Sequence, residues 1–256
     1  MAQENEKEIQ QLKNRLRDLA ERSYTQGIYT FTGFLGLSEQ EIFWQQEGEL
    51  QHAGYALEGG CQDADRVVVR FGSGTELGYQ VPFPIVCIHI RPLQQKFADD
   101  LSHRDFLGAL MNLGIDRSTL GDIKVGDREA YLFCLENIAE FICENLTQVR
   151  HTHVQCDVTK DFTAIPQEEP ETVNIQVQSL RIDAVLSKVY NISREKSLEL
   201  FRAGRVYVNG RLCGNNSRLL KAGETVNARG FGKFSLIGEP RETRKGKLAV
   251  EAAVYR

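Results

Sequence analysis

The chain has 256 residues, of which 41% are hydrophobic and 26% are charged, as in soluble globular proteins of two or three domains. The amino-terminal sequence MAQENEKEIQ lacks the apolar centre of a signal peptide, and the most apolar segment, VPFPIVCIHI, is too short to cross a bilayer. The six cysteines form no C-x-x-C pair, which favours reduced thiols over a disulfide framework. We therefore expect a cytoplasmic protein without a membrane partner.

The formal net charge of −4 conceals an uneven distribution along the chain. Residues 171–256 contain 16 Lys and Arg against 8 Asp and Glu, whereas residues 1–170 contain 15 against 27. The carboxy-terminal part therefore has a net charge of +8 and the rest a net charge of −12. Positive charge gathered on one small domain attracts polyanions and releases their counterions on contact. The alternative is a basic surface that only faces solvent.

The first predicted element is a helix over residues 4–23, and a second helix and two strand-like segments follow it. Ser38 is the predicted N-cap of the second helix, with Glu41 at the distance of a capping box. HAGYALEGG and DRVVVRFG have the composition of strands. Residues 1–82 are therefore predicted to form a small α+β lobe. The apolar positions that indicate the first helix are Ile9, Leu12, Leu16 and Leu19.

Residues 83–160 predict the element order β-α-β-β-α-β of ferredoxin-like and RRM-like domains. Ser102 caps the first helix of this domain and Gly114 ends it. The strand AYLFCL contains no Arg or Lys and so lacks the RRM signature, which argues against RNA binding by the open sheet face. The second helix, ENIAEFICENL, has a predicted apolar stripe of Ile138, Phe141, Ile142 and Leu146.

Two short motifs invite a catalytic or metal-binding interpretation. The triplet HRD at 103–105 is also the triplet with which the catalytic loop of protein kinases begins. The Gly-rich loop, strand lysine and DFG motif of kinases are, however, absent from this sequence. His151 and His153 share one face of a strand and Cys156 follows them, yet no second ligand pair accompanies them. We therefore predict a helix start at the first motif and a polar strand edge at the second, with no metal and no cofactor.

A predicted linker over residues 161–173 separates the acidic part of the chain from a basic domain at residues 174–256. Its two prolines and several acidic residues lie where the charge changes sign. In the basic domain, Ser193 caps a second helix and Gly204 ends that helix in a left-handed conformation. The predicted inward residues are Ile182, Val185, Leu186 and Val189 on the first helix and Leu198 and Phe201 on the second, with Leu200 near the edge.

Strands follow these two helices in the basic domain. VYVNG predicts a strand that ends in a two-residue hairpin turn at Asn209–Gly210. RLC, ETVNARG, KFSLIG and KLAVEAAVY are the β segments that complete the domain. The predicted fold class of the whole chain is therefore α+β.

The basic residues of this domain avoid the apolar stripes of the two helices. Arg181 opens the first helix and Lys188 lies seven positions later, so both side chains project from one side. Arg194 and Lys196 occupy the first turn of the second helix, where cations oppose the helix dipole. An anion bound at that helix end would explain their placement.

The segment LRIDAVL…ISREKSLELFRAGRVYVNGR…KAGETVNARGFGKF resembles the S4 RNA-binding domain, which has an αL-type fold. The shared pattern is R-x-D-x-x-L, then S-R, a helix, G-x-V-x-V-N-G and a later G-(D/E)-x-V. Lys196 departs from it, because many S4 domains have a small or apolar residue there. The order of the three domains is similar to that of the bacterial YlmH-like proteins.

This resemblance implies binding to ribosomal or transfer RNA on large ribosomal subunits that carry stalled peptidyl-tRNA, in ribosome rescue and quality control. It implies no catalysis and no small-molecule substrate. The phosphate contacts that it implies are Arg181, Arg194, Lys196, Arg202 and Arg205, with Lys188 and Arg211 as support at the rim.

An RNA-modifying enzyme is the competing class, because S4 domains also accompany pseudouridine synthases, methyltransferases and tyrosyl-tRNA synthetases. The signatures G-R-L-D, H-I-G-H and K-M-S-K-S are absent. The Gly-rich segment FGSGTELG at 71–78 has no predicted helix after it and no downstream acid, so we predict a hairpin or loop. A protein-interaction adaptor linked to cell division is the third alternative.

Overall fold

The chain divides into two units, Met1–Gln167 and Glu168–Arg256. Among the described residues, no helix is both long enough and apolar enough to cross a membrane. The structure, a computed structural model, describes residues 2–61, 64–160, 165–166, 170–243 and 246–255.

The first unit begins with a lobe in which helices pack against a three-stranded antiparallel sheet of order β1-β3-β2. Its core contains Leu16, Phe43 and Phe71, all fully buried. The long first helix confirms the prediction for residues 4–23. The elements are α1 (Ala2–Gln26), β1 (Thr30–Leu35), α2 (Leu37–Gln45), α3 (Glu47–Leu50), a 3₁₀ turn (Gln51–Ala53), β2 (Tyr55–Glu58), β3 (Val67–Phe71) and α4 (Gly74–Leu77).

Two details of the lobe differ from the sequence prediction. Strand β1 was not predicted, and α2 begins after Gly36 rather than at a Ser38–Glu41 capping box. The Glu39 carboxylate accepts a hydrogen bond from the Gly36 N–H at 2.7 Å. Because Glu39 supplies this bond from the third helical position, the helix starts two residues earlier than a Ser38 cap allows.

The rest of the first unit is a five-stranded antiparallel sheet of order β5-β6-β4-β8-β7. Without the short β7, this is the strand order of a ferredoxin-like β-α-β-β-α-β unit, as the sequence predicted. The elements are β4 (Ile85–Pro92), a 3₁₀ turn (Gln95–Phe97), α5 (His103–Asn112), a second 3₁₀ turn (Arg117–Thr119), β5 (Leu120–Val125), β6 (Ala130–Leu135), α6 (Glu136–Asn145), β7 (Gln148–Val149) and β8 (Thr152–Thr159).

Both helix signals of this sheet domain are confirmed, and one position of the apolar stripe is wrong. Ser102 is the N-cap of α5, and its N–H and hydroxyl both donate to the Asp105 carboxylate, at 2.9 and 2.7 Å. Gly114 follows the helix with φ of +75°. Phe141, placed in the stripe of α6, is 42% exposed, because α6 turns Ala139 and Ile142 toward the sheet instead.

The lobe covers the sheet face that lies opposite α5 and α6. Phe34 and Val68 of the lobe pack against Cys87, Tyr131 and Phe133 of the sheet. These sheet residues alternate with those that face the helices, as the two-residue period of a strand requires. The open face that an RRM would offer to RNA is therefore filled by apolar side chains. The division of this unit into domains at 1–82 and 83–160 stays a prediction.

Arg66 joins the lobe to strand β5 through hydrogen bonds to backbone carbonyls. Its guanidinium donates to the carbonyl oxygens of Leu120, Phe34 and Arg117, at 2.9, 2.9 and 3.1 Å. Burial lowers the pKa of Arg66, although the nearby Glu39 and Asp122 carboxylates oppose that shift. Because Arg66 bonds to carbonyl oxygens of both the lobe and the sheet domain, it fixes the position of the lobe relative to the sheet.

We expect Arg66→Ala to lower the free energy of unfolding of the first unit by about 3 kcal/mol, roughly 1 kcal/mol for each lost hydrogen bond. Trp44, the only tryptophan of the chain, lies in the lobe and its fluorescence reports this unit during urea denaturation. Arg22→Ala, which truncates an exposed arginine of α1, is the matched control. Equal urea midpoints for Arg66→Ala and Arg22→Ala would contradict the role of Arg66 in joining the lobe to the sheet.

The second unit is a six-stranded antiparallel sheet of order β11-β10-β12-β13-β14-β9, with two helices packed on one face. The first strand, β9, was not predicted. It takes up residues 171–173 of the expected linker, whose residues 161–164 and 167–169 lie outside the described residues. The elements are β9 (Glu171–Val177), α7 (Ile182–Val189), α8 (Arg194–Arg202), β10 (Val206–Val208), β11 (Arg211–Leu212), β12 (Thr225–Ala228), β13 (Gly232–Glu242) and β14 (Leu248–Tyr255).

The inward stripe of α7 is confirmed, whereas that of α8 is rotated relative to the prediction. Leu200 and Phe201 are buried, but Leu198 is only half-buried. The cause is Ser197, which is fully buried because its hydroxyl donates to the Asp183 carbonyl oxygen of α7 at 2.9 Å. This bond turns the Ser197 face of α8 toward α7. The stripe of α7 consists of Ile182, Val185, Leu186 and Val189, each at most 4% exposed.

The turn signals of this unit are confirmed. Gly204 ends α8 with φ of +63°, which favours a residue without a Cβ atom. Asn209 and Gly210 both have positive φ, of 51° and 77°, as a type I′ turn between β10 and β11 requires.

Candidate nucleic-acid interface

An open cleft of about 390 Å³ lies in the second unit, where the start of α7 and the start of α8 meet the end of β9. Four cationic side chains line it, and the other lining residues are uncharged. Among the described residues, the cleft is lined by Gln176, Val177, Gln178, Ser179, Arg181, Ala184, Ser187, Lys188, Arg194 and Lys247.

A buried carboxylate, Asp183, lies behind the cleft and holds two of its arginines. The Asp183 side chain is 2% exposed. It accepts two hydrogen bonds from Arg181, from Nε at 3.1 Å and from Nη2 at 3.0 Å, and one Nη of Arg194 lies 3.6 Å from it. Asn216 Nδ2 and the Ala184 N–H complete its partners, at 3.4 and 2.9 Å. One carboxylate therefore holds Arg181 by two hydrogen bonds and attracts the Arg194 guanidinium by its charge.

The pKa values of this cluster follow from its geometry. Burial alone raises the pKa of Asp183, but the hydrogen bonds from Arg181 and Asn216 and the positive charges of Arg181 and Arg194 outweigh burial, and the net pKa is below its ordinary value of 3.8. The hydrogen bond to Asp183 raises the pKa of Arg181 in turn. Asp183 is thus ionised at neutral pH, and Arg181 stays charged beside it.

At the start of α8, the protein itself supplies partners for the backbone N–H and the side-chain ammonium of Lys196. Ser193 is the N-cap, as predicted, and its Oγ accepts a hydrogen bond from the Lys196 N–H at 3.1 Å. The Lys196 ammonium pairs with Glu199 at 2.8 Å, and this hydrogen bond lowers the pKa of Glu199. Lys196 does not line the cleft, whereas Arg194 does. Arg194 is 63% exposed, so its guanidinium can contact an anion as well as Asp183.

The structure brings together only some of the residues that the resemblance implied. Arg181, Lys188 and Arg194 share the cleft. Three others lie elsewhere on the surface of the same unit. These are Arg202 in the last turn of α8, Arg205 beside the turn at Gly230, and Arg211 on the edge strand β11.

Lys247 lines the cleft and was missed by the sequence reasoning. It belongs to the basic sequence RETRKGK, which connects two strand-like segments. The pairing of β14 with β9 places Leu248 opposite Val177, so the residue before Leu248 lies next to the end of β9. The basic run could have indicated a cation at this turn, but only the strand pairing assigns it to the cleft.

The motifs weighed for catalysis or metal binding have structural roles. Asp105 of the HRD triplet caps α5, and the hydrogen bonds from Ser102 lower its pKa. Cys156 faces the core, where burial raises the pKa of its thiol to about 12, while His153 lies on the exposed face of the strand. Within the described ranges, no three His, Cys, Asp or Glu side chains are placed to hold a metal ion. The Gly-rich segment 71–78, expected to be a hairpin or loop, contains the one-turn helix α4.

Comparison with known proteins relates each unit to a protein family. Residues 80–163 match the family described as "Putative RNA-binding domain in YlmH", and residues 180–226 match the S4 domain. The solved structure of the cell division protein ylmH from Streptococcus pneumoniae aligns with 62% of this chain and 95% of its own, with a TM-score of 0.48 and 19% identity.

A curated relative extends the likeness over most of the chain. The Bacillus subtilis "Ribosome-associated protein quality control protein P2" is 30% identical over 220 residues, which are 86% of this chain and 84% of that protein. The S4 match contains the Asp183 cluster and three of the four cleft cations. The chain therefore belongs to the YlmH-like family of S4-domain proteins, together with this Bacillus relative.

Proposed function

We propose that the protein is a cytoplasmic, non-enzymatic RNA-binding protein that docks through the cleft on ribosomal or transfer RNA. Its target in this proposal is the large ribosomal subunit that carries stalled peptidyl-tRNA, and its role is ribosome rescue and quality control. The observation that carries the proposal is the group of Arg181, Lys188 and Arg194 around the buried Asp183, inside the S4 match.

The charges of the cleft support a phosphate-binding role. Arginine and lysine side chains from two helices converge on one open depression, and phosphate contacts of this kind position a protein on RNA by its backbone. Asp183 holds Arg181 and Arg194 in place before RNA arrives, which lowers the entropic cost of ordering them on binding. The name of the Bacillus relative supports the ribosome as the partner.

The first unit supports the proposal in a different way. Its net negative charge and its covered sheet face disfavour RNA at the position that RRM domains use. In this proposal the acidic unit faces protein or solvent, and the S4 domain supplies the RNA contact. The proposed boundaries, 1–82 and 83–160 for its two domains, follow from the element order.

The salt dependence of ribosome binding tests this proposal. Three phosphate contacts give a slope of about −2.7 in log affinity against log salt, so affinity should fall roughly 40-fold between about 50 and 200 mM salt. Co-sedimentation of the full chain with purified large subunits at several KCl concentrations measures this slope. An affinity that does not change with salt would point to a protein partner, and therefore to an adaptor.

A further inference from the structure

Part of the cleft lining is made by residues outside the S4 match. The match ends at residue 226 and begins at residue 180. Gln176 to Ser179 at the end of β9, and Lys247 before β14, therefore lie outside it but line the same cleft. The cleft is thus completed by a strand and a hairpin that the S4 domain match does not include.

Hydrogen bonds fix the position of Lys247 at the end of the β13–β14 hairpin. The Thr243 N–H donates to the Lys247 carbonyl oxygen at 2.7 Å, and the Lys247 N–H donates to Thr243 Oγ1 at 3.1 Å. The next residue, Leu248, pairs with Val177 of β9. Since both strands of the hairpin belong to the same sheet, the Lys247 backbone is held beside the cleft rather than on a freely moving loop.

Two of the four cleft cations remain available for a ligand. Within the described part of the chain, neither Lys188 nor Lys247 forms an ion pair with an acidic side chain. Asp183 is engaged by Arg181 and lies near Arg194. Both lysines are exposed at the open cleft, so their ammonium groups are accessible to an anion that binds there. The polar lining from Gln178 and Ser179 adds hydrogen-bonding groups but no charge.

We propose that Lys247 binds a backbone phosphate of the RNA in the cleft, so that RNA contact extends beyond the S4 domain onto the β13–β14 hairpin. This inference rests on the proposed RNA-binding function. The volume of about 390 Å³ lies at the small end of ligand pockets and fits a phosphate with its adjoining sugar, rather than a whole helix of RNA.

Replacing Lys247 by glutamine tests this contact in the full chain. We expect Lys247→Gln to weaken binding to purified large subunits about tenfold and to reduce the magnitude of the salt slope by about 1. Lys247→Arg, which keeps the charge, should retain the wild-type slope. Lys221→Gln, at an exposed lysine that does not line the cleft, is the matched control and should change neither quantity.

Two outcomes would overturn the inference. If Lys247→Gln binds like the wild type while charge reversal at Lys188 and Arg194 abolishes binding, the hairpin lies outside the site and the proposed function stands. If charge reversal at those two residues also has no effect, the proposed function fails as well.

Discussion

Replacing Lys188 and Arg194 together by glutamate should lower the affinity for large ribosomal subunits by roughly 100-fold or more, because two charge-assisted contacts are lost. Both residues line the cleft from different helices, so the double change also makes the phosphate-binding surface repulsive. Sedimentation of the full chain with purified subunits at low salt measures the loss. We expect it to be nearly complete at the protein concentrations at which the wild type binds.

The matched control makes the same change in net charge elsewhere on the protein. Lys7 and Arg22 are exposed residues of the first unit outside both family matches, and their replacement by glutamate should leave sedimentation close to that of the wild type. Because Arg194 lies 3.6 Å from Asp183, the neutral pair Lys188→Gln and Arg194→Gln should accompany the charge reversal. An effect of equal size from the control pair would show that binding depends on overall charge and not on the cleft.

Removing the buried charge of Asp183 should destabilise the second unit by about 1.5–3 kcal/mol, the range for hydrogen bonds to a charged group. Asp183→Asn keeps the size of the side chain but loses the charge that Arg181 and Arg194 face. Hydrogen exchange of peptides from α7 and α8 measures the effect in the full chain. Glu251→Gln, at an exposed carboxylate of β14, is the control, and Trp44 fluorescence should report an unchanged first unit.

The difference in stability between the wild type and Asp183→Asn should depend on pH in one direction. The pKa of Asp183 is lower in the folded protein than its ordinary value of 3.8. The stabilisation from its ionised form is therefore present above about pH 4 and is lost as the pH falls through the folded pKa. The difference between the wild type and Asp183→Asn should be constant near neutral pH and shrink in acid. A difference that grows as the pH falls would contradict the assigned ion pair.

The local signals of the sequence predicted the helices and turns that position the cleft. The stripe of α7, the Ser193 cap, the stop at Gly204 and the Asn209–Gly210 turn all depend on residues within a few positions of each other. Such features are encoded by spacing and backbone preference alone. The placement of Arg181 and Lys188 on one side of α7 follows from the same periodicity.

The features that sequence reasoning missed depend on contacts between distant parts of the chain. Lys247 reaches the cleft only because β14 pairs with β9, more than sixty residues earlier in the sequence. The rotation of α8 depends on the hydrogen bond of Ser197 to Asp183, fourteen positions away on another helix. Likewise, Phe34 covers the sheet face through packing that no local pattern indicates. Spacing within one element predicts none of these contacts.

Crosslinking in living cells, followed by sequencing of the bound RNA, is the most direct test of RNA binding through the cleft. We expect recovery of large-subunit ribosomal RNA together with transfer RNA, and crosslinked peptides that come from the second unit around α7 and α8. The Lys188→Glu and Arg194→Glu pair should lose that signal, while the Lys7→Glu and Arg22→Glu control keeps it. Recovery of no RNA, or crosslinks confined to the first unit, would contradict RNA binding through the cleft.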